Sequence, residues 1–242
     1  MENWLDRTEL LIKKEGIEKL EKAHVLIVGL GGVGSSAAEY IARAGVGELT
    51  IIDGDRVDLT NINRQLPALH SSIGKYKTQV VKERLLDINP KLKLHAINKF
   101  IEPDEFEEMI DKNNFDYIID AIDSVSPKIY LIVAAKRNKT KIISAMGAGG
   151  KRDPSKVKVT DISKTREDFL ARTIRKRLKK FKIQKGVKCV FSTEVQDAEA
   201  LQMTDNTDYK KSHYGTISFM PALFGIFAAA EVINFLINKN EA

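Results

Sequence analysis

The chain has 242 residues, of which 43% are hydrophobic and 30% are charged, a composition that excludes an intrinsically disordered protein. A single cysteine, Cys189, excludes an internal disulfide, and the sequence has no CxxC pair of the kind that forms zinc clusters. The net charge of +6 is unevenly distributed, because the segment from Arg172 to Lys188 contains nine basic residues and no acidic one.

The first 150 residues alternate apolar runs with amphipathic stretches, which is the pattern of a parallel sheet built from βαβ units. A helical arm is predicted over residues 4–20, before the first strand. Strands are then predicted at 23–28, 48–52, 92–98, 115–120 and 141–145, and helices between them at 32–44, 75–88, 103–111 and 125–138. The predicted fold class is α/β, a Rossmann-like, mainly parallel sheet with helices on both faces and a C-terminal α+β extension.

The remaining residues are predicted to form a Gly-rich turn, a basic helix, strands at 156–161 and near 189–192, and a terminal helix at 221–237. Residues 214–237 are long enough to cross a bilayer, but Glu231 and Asn234 interrupt them, so a buried core helix is favoured over a membrane span. We expect one domain over 1–242, with an arm at 1–22, a nucleotide-binding core at 23–150 and a substrate-binding extension at 151–242. The N-terminal sequence lacks the features of a secretory signal, so a cytoplasmic protein is expected.

Four glycines follow the first predicted strand and open a helix: Gly29, Gly31, Gly32 and Gly34. Such glycines let the backbone approach a phosphate, and the helix N-terminus offers free N–H groups to it. Asp53 ends the second predicted strand about twenty residues later, at the position where a carboxylate accepts hydrogen bonds from a ribose. This pattern predicts a nucleotide site, and it fits ATP and NAD equally well.

Charged residues further along the chain favour ATP over NAD. Asn61, Arg64 and Lys77 follow the second predicted strand, and an amide with two cations beside a phosphate loop suits a triphosphate. Asp120 and Asp123 end the fourth predicted strand, on the ligand-binding edge of such a sheet. A carboxylate there can hold Mg²⁺ against phosphate oxygens. The sequence therefore predicts an enzyme that uses ATP and Mg²⁺.

At these residues the sequence resembles the ATP-dependent activating superfamily that includes ubiquitin-activating enzymes and the molybdopterin and thiamine adenylyltransferases. The resemblance rests on the glycine loop, the NINRQ segment, Lys77 and the DAIDS segment. It implies that the glycine loop and Asp53 bind the nucleotide, that Arg64 and Lys77 hold the triphosphate, and that Asp123 binds Mg²⁺. It also implies a homodimer in which Arg7, on the N-terminal arm, reaches the phosphates of the opposite subunit.

The second half resembles the tRNA threonylcarbamoyladenosine dehydratases, one branch of this superfamily, through AMGAGGKRDP, DISKT, CVFSTE and YGTISFMPALFG. One departure is Phe169, where a proline is expected after Asp168. The resemblance implies that ATP adenylylates the threonyl carboxylate of the modified adenosine next to the anticodon, and that the neighbouring carbamoyl group then closes a ring. Three alternatives stay open: an adenylyltransferase for a sulfur-carrier protein, with a sulfur-transfer protein as partner, an NAD-dependent oxidoreductase, and an inert nucleotide-binding module.

The basic helix is predicted to bind the tRNA. Leu170, Ile174, Leu178 and Phe181 recur at helical spacing and can form an apolar stripe toward the core. That arrangement turns five basic residues toward solvent: Arg172, Arg175, Lys176, Lys179 and Lys180. Such a run is often only a solvated helix face, but a face without acidic residues for pairing favours a partner rich in phosphate.

Overall fold

The computed structural model describes residues 3–203 and 212–239. The helices are α1 (Asp6–Lys22), α2 (Gly32–Arg43), α3 (Lys77–Ile88), α4 (Pro103–Lys112), α5 (Val125–Arg137), α6 (Phe169–Leu178) and α7 (Phe219–Ile237). The strands are β1 (His24–Val28), β2 (Glu48–Ile52), β3 (Lys93–Ile97), β4 (Tyr117–Asp120), β5 (Lys141–Ala145), β6 (Val157–Asp161), β7 (Lys188–Ser192), β8 (Leu201–Met203) and β9 (Ser212–Tyr214).

Seven strands form one sheet in the order β3-β2-β1-β4-β5-β7-β6. The strands from β3 across to β7 run parallel, and β6 pairs antiparallel with β7 at one edge. The direction of winding reverses between β1 and β4, which opens a crevice at their carboxyl ends, where α/β sheets bind ligands. The predicted α/β class with a mainly parallel sheet is confirmed.

Helices cover both faces of this sheet, because successive residues of a strand point to opposite faces. In β1, Val25 and Ile27 pack in the layer of α2, α3 and α7, whereas Leu26 and Val28 pack in the layer of α4, α5 and α6. All four side chains are buried. Strands that are apolar on both faces are typical of a parallel sheet between two helix layers.

The last helix, α7, packs against α2. A Cβ atom on Gly225 would lie 2.3 Å from the Val33 carbonyl oxygen, and one on Gly32 would lie 2.7 Å from the Pro221 Cβ atom, so the two helices approach as closely as backbones allow. By length and composition alone α7 could cross a membrane. Its packing is that of the predicted core helix, with these residues fully buried: Met220, Phe224, Ala228 and Val232.

The predicted bounds of the helices and strands differ from the observed ones by a few residues. The helix predicted from residue 75 begins at Lys77, because Lys75 and Lys77 pair with the segment after β2 through the Val57 N–H and the Asp55 carbonyl. The hairpin of β8 and β9 is not predicted from the sequence. Its three-residue strands are too short to show an alternating pattern.

Candidate nucleotide and substrate site

The backbone requires glycine at three of the four positions in the loop after β1. Gly29 has a φ of +90°, and its N–H donates to the Ile52 carbonyl oxygen at 2.8 Å, which closes the turn against β2. A Cβ atom on Gly34 would lie 1.7 Å from the Gly29 carbonyl oxygen, and one on Gly32 would lie 2.6 Å from the Arg64 carbonyl oxygen. These glycines therefore fix the loop against α2 and the Arg64 segment.

Gly31 is different, because the packing of the protein does not explain its missing side chain. The nearest atom to a Cβ there would be the Gln65 Nε2 atom at 3.7 Å, an ordinary contact. Gly31 is the N-cap of α2, so free N–H groups of the first helical turn follow it. The Gln65 Oε1 atom beside it is buried without a hydrogen-bond partner among the described residues. Loop and helix end together offer a phosphate both space and N–H donors.

Asp53 ties the end of β2 to the glycine loop. Its carboxylate accepts hydrogen bonds from the Leu30 N–H at 2.6 Å and the Asp55 N–H at 2.7 Å. Burial raises the pKa of the Asp53 carboxyl, and the nearby Lys77 ammonium works in the opposite direction. Asp53 is thus held at the predicted position, and its contact with a ribose stays a prediction.

Lys77 is buried, with its Nζ atom 2.7 Å from the Asp55 Oδ2 atom. Since Asp55 is exposed, this ion pair lies at the rim of the crevice. Asp55 is not among the site residues predicted from the sequence. The signal for it is its place two residues after Asp53, because alternate residues of an extended segment share a face.

Arg64 lies beside the glycine loop, and its own segment holds its guanidinium. The Nη1 atom donates to the Thr60 carbonyl oxygen at 2.8 Å and to the Asn63 Oδ1 atom at 2.7 Å. Asn61 accepts a hydrogen bond from the Asp58 N–H at 3.2 Å and so closes the turn before Arg64. The structure therefore shows Asn61 in a local turn, and the guanidinium keeps further N–H groups that a phosphate could accept.

The two aspartates after β4 have different surroundings. Asp120 is fully buried, pairs with Lys128 at 2.8 Å, and accepts a hydrogen bond from the Ser144 hydroxyl at 2.6 Å. Asp123 is exposed at the end of this loop, and the Ser124 hydroxyl donates to it at 3.4 Å. Asp120 therefore braces β4 against α5 and β5, whereas the carboxylate of Asp123 can face a cation. Lys128 is not predicted from the sequence, because its place on α5 gives no pattern that distinguishes it from a surface lysine.

A second Gly-rich turn follows β5 at the same edge of the sheet. The Gly150 N–H donates to the Gly215 carbonyl oxygen at 2.8 Å, and the Asn63 Nδ2 atom donates to the Thr216 carbonyl oxygen at 2.9 Å. Residues 214–216 thus connect this turn to the segment of Arg64. The predicted extension and the predicted nucleotide core therefore meet at one edge.

Arg7 is exposed on α1, at the far end of α2 from the glycine loop. Leu5 packs where α2 has ended, since a Cβ atom on Gly45 would lie 2.7 Å from the Leu5 Cδ1 atom. The 12 residues of α2 span about 18 Å. The helix therefore separates Arg7 from the phosphate loop of the same chain.

The basic helix α6 begins at Phe169, and the prediction for its core side needs one correction. Ile174 and Leu178 are fully buried and Leu170 is half-buried, as the apolar stripe requires. Phe181 is 39% exposed, because α6 ends at Leu178 and the following 3-10 turn directs the ring toward Tyr130. Phe169, which occupies the position expected for proline, is the first residue of α6, so this departure does not move the helix start.

The charged side of α6 also needs one correction. Arg175 is predicted to project to solvent, but it is half-buried and its Nη1 atom donates to the Thr165 carbonyl oxygen at 2.9 Å. The other four predicted residues are exposed: Arg172, Lys176, Lys179 and Lys180. Three of these four, together with Arg175, line a groove of about 430 Å³. The basic surface is therefore present, with Arg175 committed to the fold.

Two further groups of reactive side chains lie away from this edge. Cys189 is fully buried in β7, and burial raises the pKa of its thiol, which disfavours the reactive thiolate. His24, Glu48 and His95 lie close enough together on neighbouring strands to share a metal ion. The Lys93 ammonium also contacts Glu48, at 2.9 Å, and burial lowers the pKa of His24. An ion-pair cluster explains these residues without a metal.

Residues 5–242 match the sequence profile of the ThiF family. The chain is 38% identical over 242 residues to the tRNA threonylcarbamoyladenosine dehydratase of Bacillus subtilis, and the match covers 97% of this chain and 95% of the relative. It is 39% identical to the protein of the same name from Haemophilus influenzae, with coverage of 95% and 91%. The similarity to the molybdopterin-synthase adenylyltransferase of Haemophilus influenzae, at 36% identity, extends over 54% of this chain.

Solved structures show the same relationship. The Escherichia coli tRNA N6-threonylcarbamoyladenosine dehydratase in complex with ATP is similar with a TM-score of 0.88 at 37% identity, covering 98% of this chain and 96% of that chain. The same enzyme in complex with AMP gives a TM-score of 0.87. The similarity therefore extends through the nucleotide core and the C-terminal extension.

Proposed function

The chain belongs to the ThiF family, and on that premise we propose that it catalyses the ATP-dependent dehydration of threonylcarbamoyladenosine in tRNA. One observation carries the proposal. The similarity to the dehydratases covers almost the whole of both chains, including the second Gly-rich turn and α6, whereas the similarity to a molybdopterin-synthase adenylyltransferase covers about half of this chain. We attribute this difference to a substrate site built from the extension.

In this proposal the edge formed by β1, β2 and β4 binds ATP. The glycine loop and the start of α2 hold the phosphates, and Asp53 orients the ribose. Arg64 and Lys77 neutralise the triphosphate, because the Arg64 backbone packs against the glycine loop and Lys77 lies near Asp53, which binds that loop. Asp123 is the residue that would hold Mg²⁺, since an exposed carboxylate at this edge is a ligand that Mg²⁺ prefers. The ion would neutralise charge on the phosphate oxygens.

The reaction needs no nucleophile from the protein. The threonyl carboxylate attacks the α-phosphate of ATP, one P–O bond forms, and the bond to pyrophosphate breaks. The carbamoyl group then attacks the activated carboxyl, AMP leaves, and the new ring has lost one water. Catalysis is positioning and charge neutralisation, in agreement with the buried state of Cys189.

We further propose a cytoplasmic, ligase-type homodimer in which Arg7 of one subunit completes the site of the other. The separation between Arg7 and its own glycine loop supports this arrangement. Leu10 and Leu11 on α1 are exposed, which favours a partner surface against this arm. A sulfur-transfer partner is not required by the reaction, because the attacking groups belong to the nucleoside.

The deciding experiment is mass spectrometry of tRNA nucleosides after incubation with the protein, ATP and Mg²⁺. We expect threonylcarbamoyladenosine to be replaced by a nucleoside lighter by one water, with AMP and pyrophosphate formed in equal amounts. Reactions without ATP, or with tRNA that carries unmodified adenosine, serve as controls. Pyrophosphate release that depends on a small carrier protein and not on tRNA would instead support the sulfur-carrier adenylyltransferase.

A further inference from the structure

A buried amide from the segment after β7 packs against the turn after β5, and only one of its two polar atoms has a partner among the described residues. Gln196 is 9% exposed, and its Nε2 atom donates to the Gly149 carbonyl oxygen at 3.0 Å. Its Oε1 atom is buried without a hydrogen-bond partner among the described residues. A flipped amide would turn Oε1 toward that carbonyl and oppose two acceptors, so the orientation is fixed. An unpaired buried acceptor costs free energy, and a ligand N–H would recover it.

A gap at Gly147 lies beside the Gln196 amide. A Cβ atom on Gly147 would lie 3.5 Å from the Gln196 Nε2 atom and 3.6 Å from the Asp168 Oδ2 atom, and Gly147 does not have a positive φ. Neither packing nor backbone conformation therefore requires glycine here. Its missing side chain leaves a gap between the Gln196 amide and the Asp168 carboxylate.

The charge of this gap is balanced. The Lys151 Nζ atom lies 2.7 Å from the Asp168 Oδ2 atom, and both side chains are fully buried. A neutral ion pair does not attract a second carboxylate or a phosphate, and the open Gln196 Oε1 atom requires a donor. The gap therefore suits a neutral polar group that carries N–H.

The gap also lies beside the proposed ATP edge. The turn that contains Gly147 is joined through residues 214–216 to Asn63, the neighbour of Arg64. A substrate carboxylate near the phosphates would thus bring its adjoining groups toward Gln196.

We propose that Gln196 and Gly147 form the recognition site for the carbamoyl group of the substrate nucleoside, with the Gln196 Oε1 atom accepting its N–H. The inference rests on the proposed function. The carbamoyl group is neutral and carries N–H, as the gap requires, and unmodified adenosine lacks it. Gln196 is then a specificity-determining residue, because it distinguishes modified from unmodified tRNA.

The test compares the Kd for tRNA that carries threonylcarbamoyladenosine with the Kd for the same tRNA with unmodified adenosine. Gln196→Met removes the acceptor at similar size, and Gly147→Ala fills the gap without a clash. We expect each variant to lose about tenfold of the wild-type preference for modified tRNA, the value of one good hydrogen bond. The Kd for unmodified tRNA and for ATP should stay the same. Gln79→Met makes the same side-chain change at an exposed position of α3 and should keep the wild-type preference for modified tRNA.

Full preference in Gly147→Ala and Gln196→Met would overturn the inference, as would a wild-type protein without any preference. If Gln196→Met does not fold, Gly147→Ala decides alone. Conversion of the nucleoside by the wild type, followed by mass spectrometry, distinguishes a failure of the carbamoyl site from a failure of the proposed function. Conversion with unchanged preference in both variants rejects only the carbamoyl site, whereas a wild type that fails to convert modified tRNA rejects the proposed function and the site together.

Discussion

Charged residues at the carboxyl edge of the sheet are of two kinds. Some form ion pairs that are fully buried, and others lie at the rim of the crevice. Asp120 with Lys128 forms a fully buried pair, and so does Lys151 with Asp168. Lys77 differs from these, because its partner Asp55 is exposed. Charges at the rim can change partners when a phosphate enters, whereas the buried pairs maintain the scaffold.

This distinction predicts that Lys77→Ala and Asp123→Asn each lower turnover by about a hundredfold or more while the fold stays intact. Each substitution removes a charge that balances the reacting phosphates. Pyrophosphate release measures turnover, and circular dichroism measures the fold. Lys75→Ala and Asp111→Asn, at exposed positions, are the matched controls. Near-wild-type release in both Lys77→Ala and Asp123→Asn would mean that the site is wrongly placed.

The buried pair makes a different prediction. Lys128→Met should destabilise the protein by about 3 to 5 kcal/mol, because it leaves the Asp120 carboxylate buried without its cation. Urea unfolding measures the loss. The double variant with Asp120→Asn should recover much of it, since no unpaired charge remains. A single variant as stable as the wild type would show that the pair of Asp120 and Lys128 does not contribute to stability.

The site residues that can be predicted from the sequence are those that belong to a local sequence pattern. The glycine loop, Asp53 and Asp123 follow strand ends, so periodicity alone brings them to one edge. Gln196 and Lys151 carry no such signal, because their partners, Gly149 and Asp168, come together only when β5, β7 and α6 pack. Arg175 is misjudged for the same reason, since its contact with Thr165 depends on a loop whose conformation the sequence does not reveal.

At the scale of elements, α6 and the 3-10 turn after it combine a buried stripe with an exposed basic face. Changing Arg172, Lys176, Lys179 and Lys180 to Gln should weaken tRNA binding and flatten its salt dependence, because each lost phosphate contact removes about 0.7 to 0.9 from the slope of log affinity against log salt. ATP affinity should not change. Filter binding across a salt series measures both quantities.

The control for this experiment replaces four exposed lysines outside α6 by Gln: Lys91, Lys99, Lys112 and Lys139. It makes an equal change in net charge at other places on the surface. Equal salt slopes in the two variants would assign the effect to overall charge and return α6 to a solvated face. Arg175 is left intact, because its loss would disturb the Thr165 loop.

At the scale of the whole molecule, the position of Arg7 relative to its own glycine loop predicts an active site shared between subunits. Mixed dimers of Arg7→Ala and Lys77→Ala subunits should regain roughly half the wild-type activity, because one of their two sites is complete when Arg7 acts across the interface. Differently tagged subunits allow the mixed dimer to be purified and assayed for pyrophosphate release. Inactive mixed dimers would place Arg7 in its own subunit's site, and active Arg7→Ala homodimers would place it outside the chemistry.

The contact of α7 with α2 determines when α2 can be covered during synthesis of the chain. The helix that carries the phosphate loop packs through backbone contacts on a helix that begins only at Phe219. Translation proceeds at about 5–20 residues per second, so α2 waits on the ribosome with its apolar side uncovered for roughly ten seconds or longer. Nascent chains that stop before α7 should therefore be clients of chaperones and should not retain ATP, and competence for the nucleotide should appear only once α7 has been synthesised.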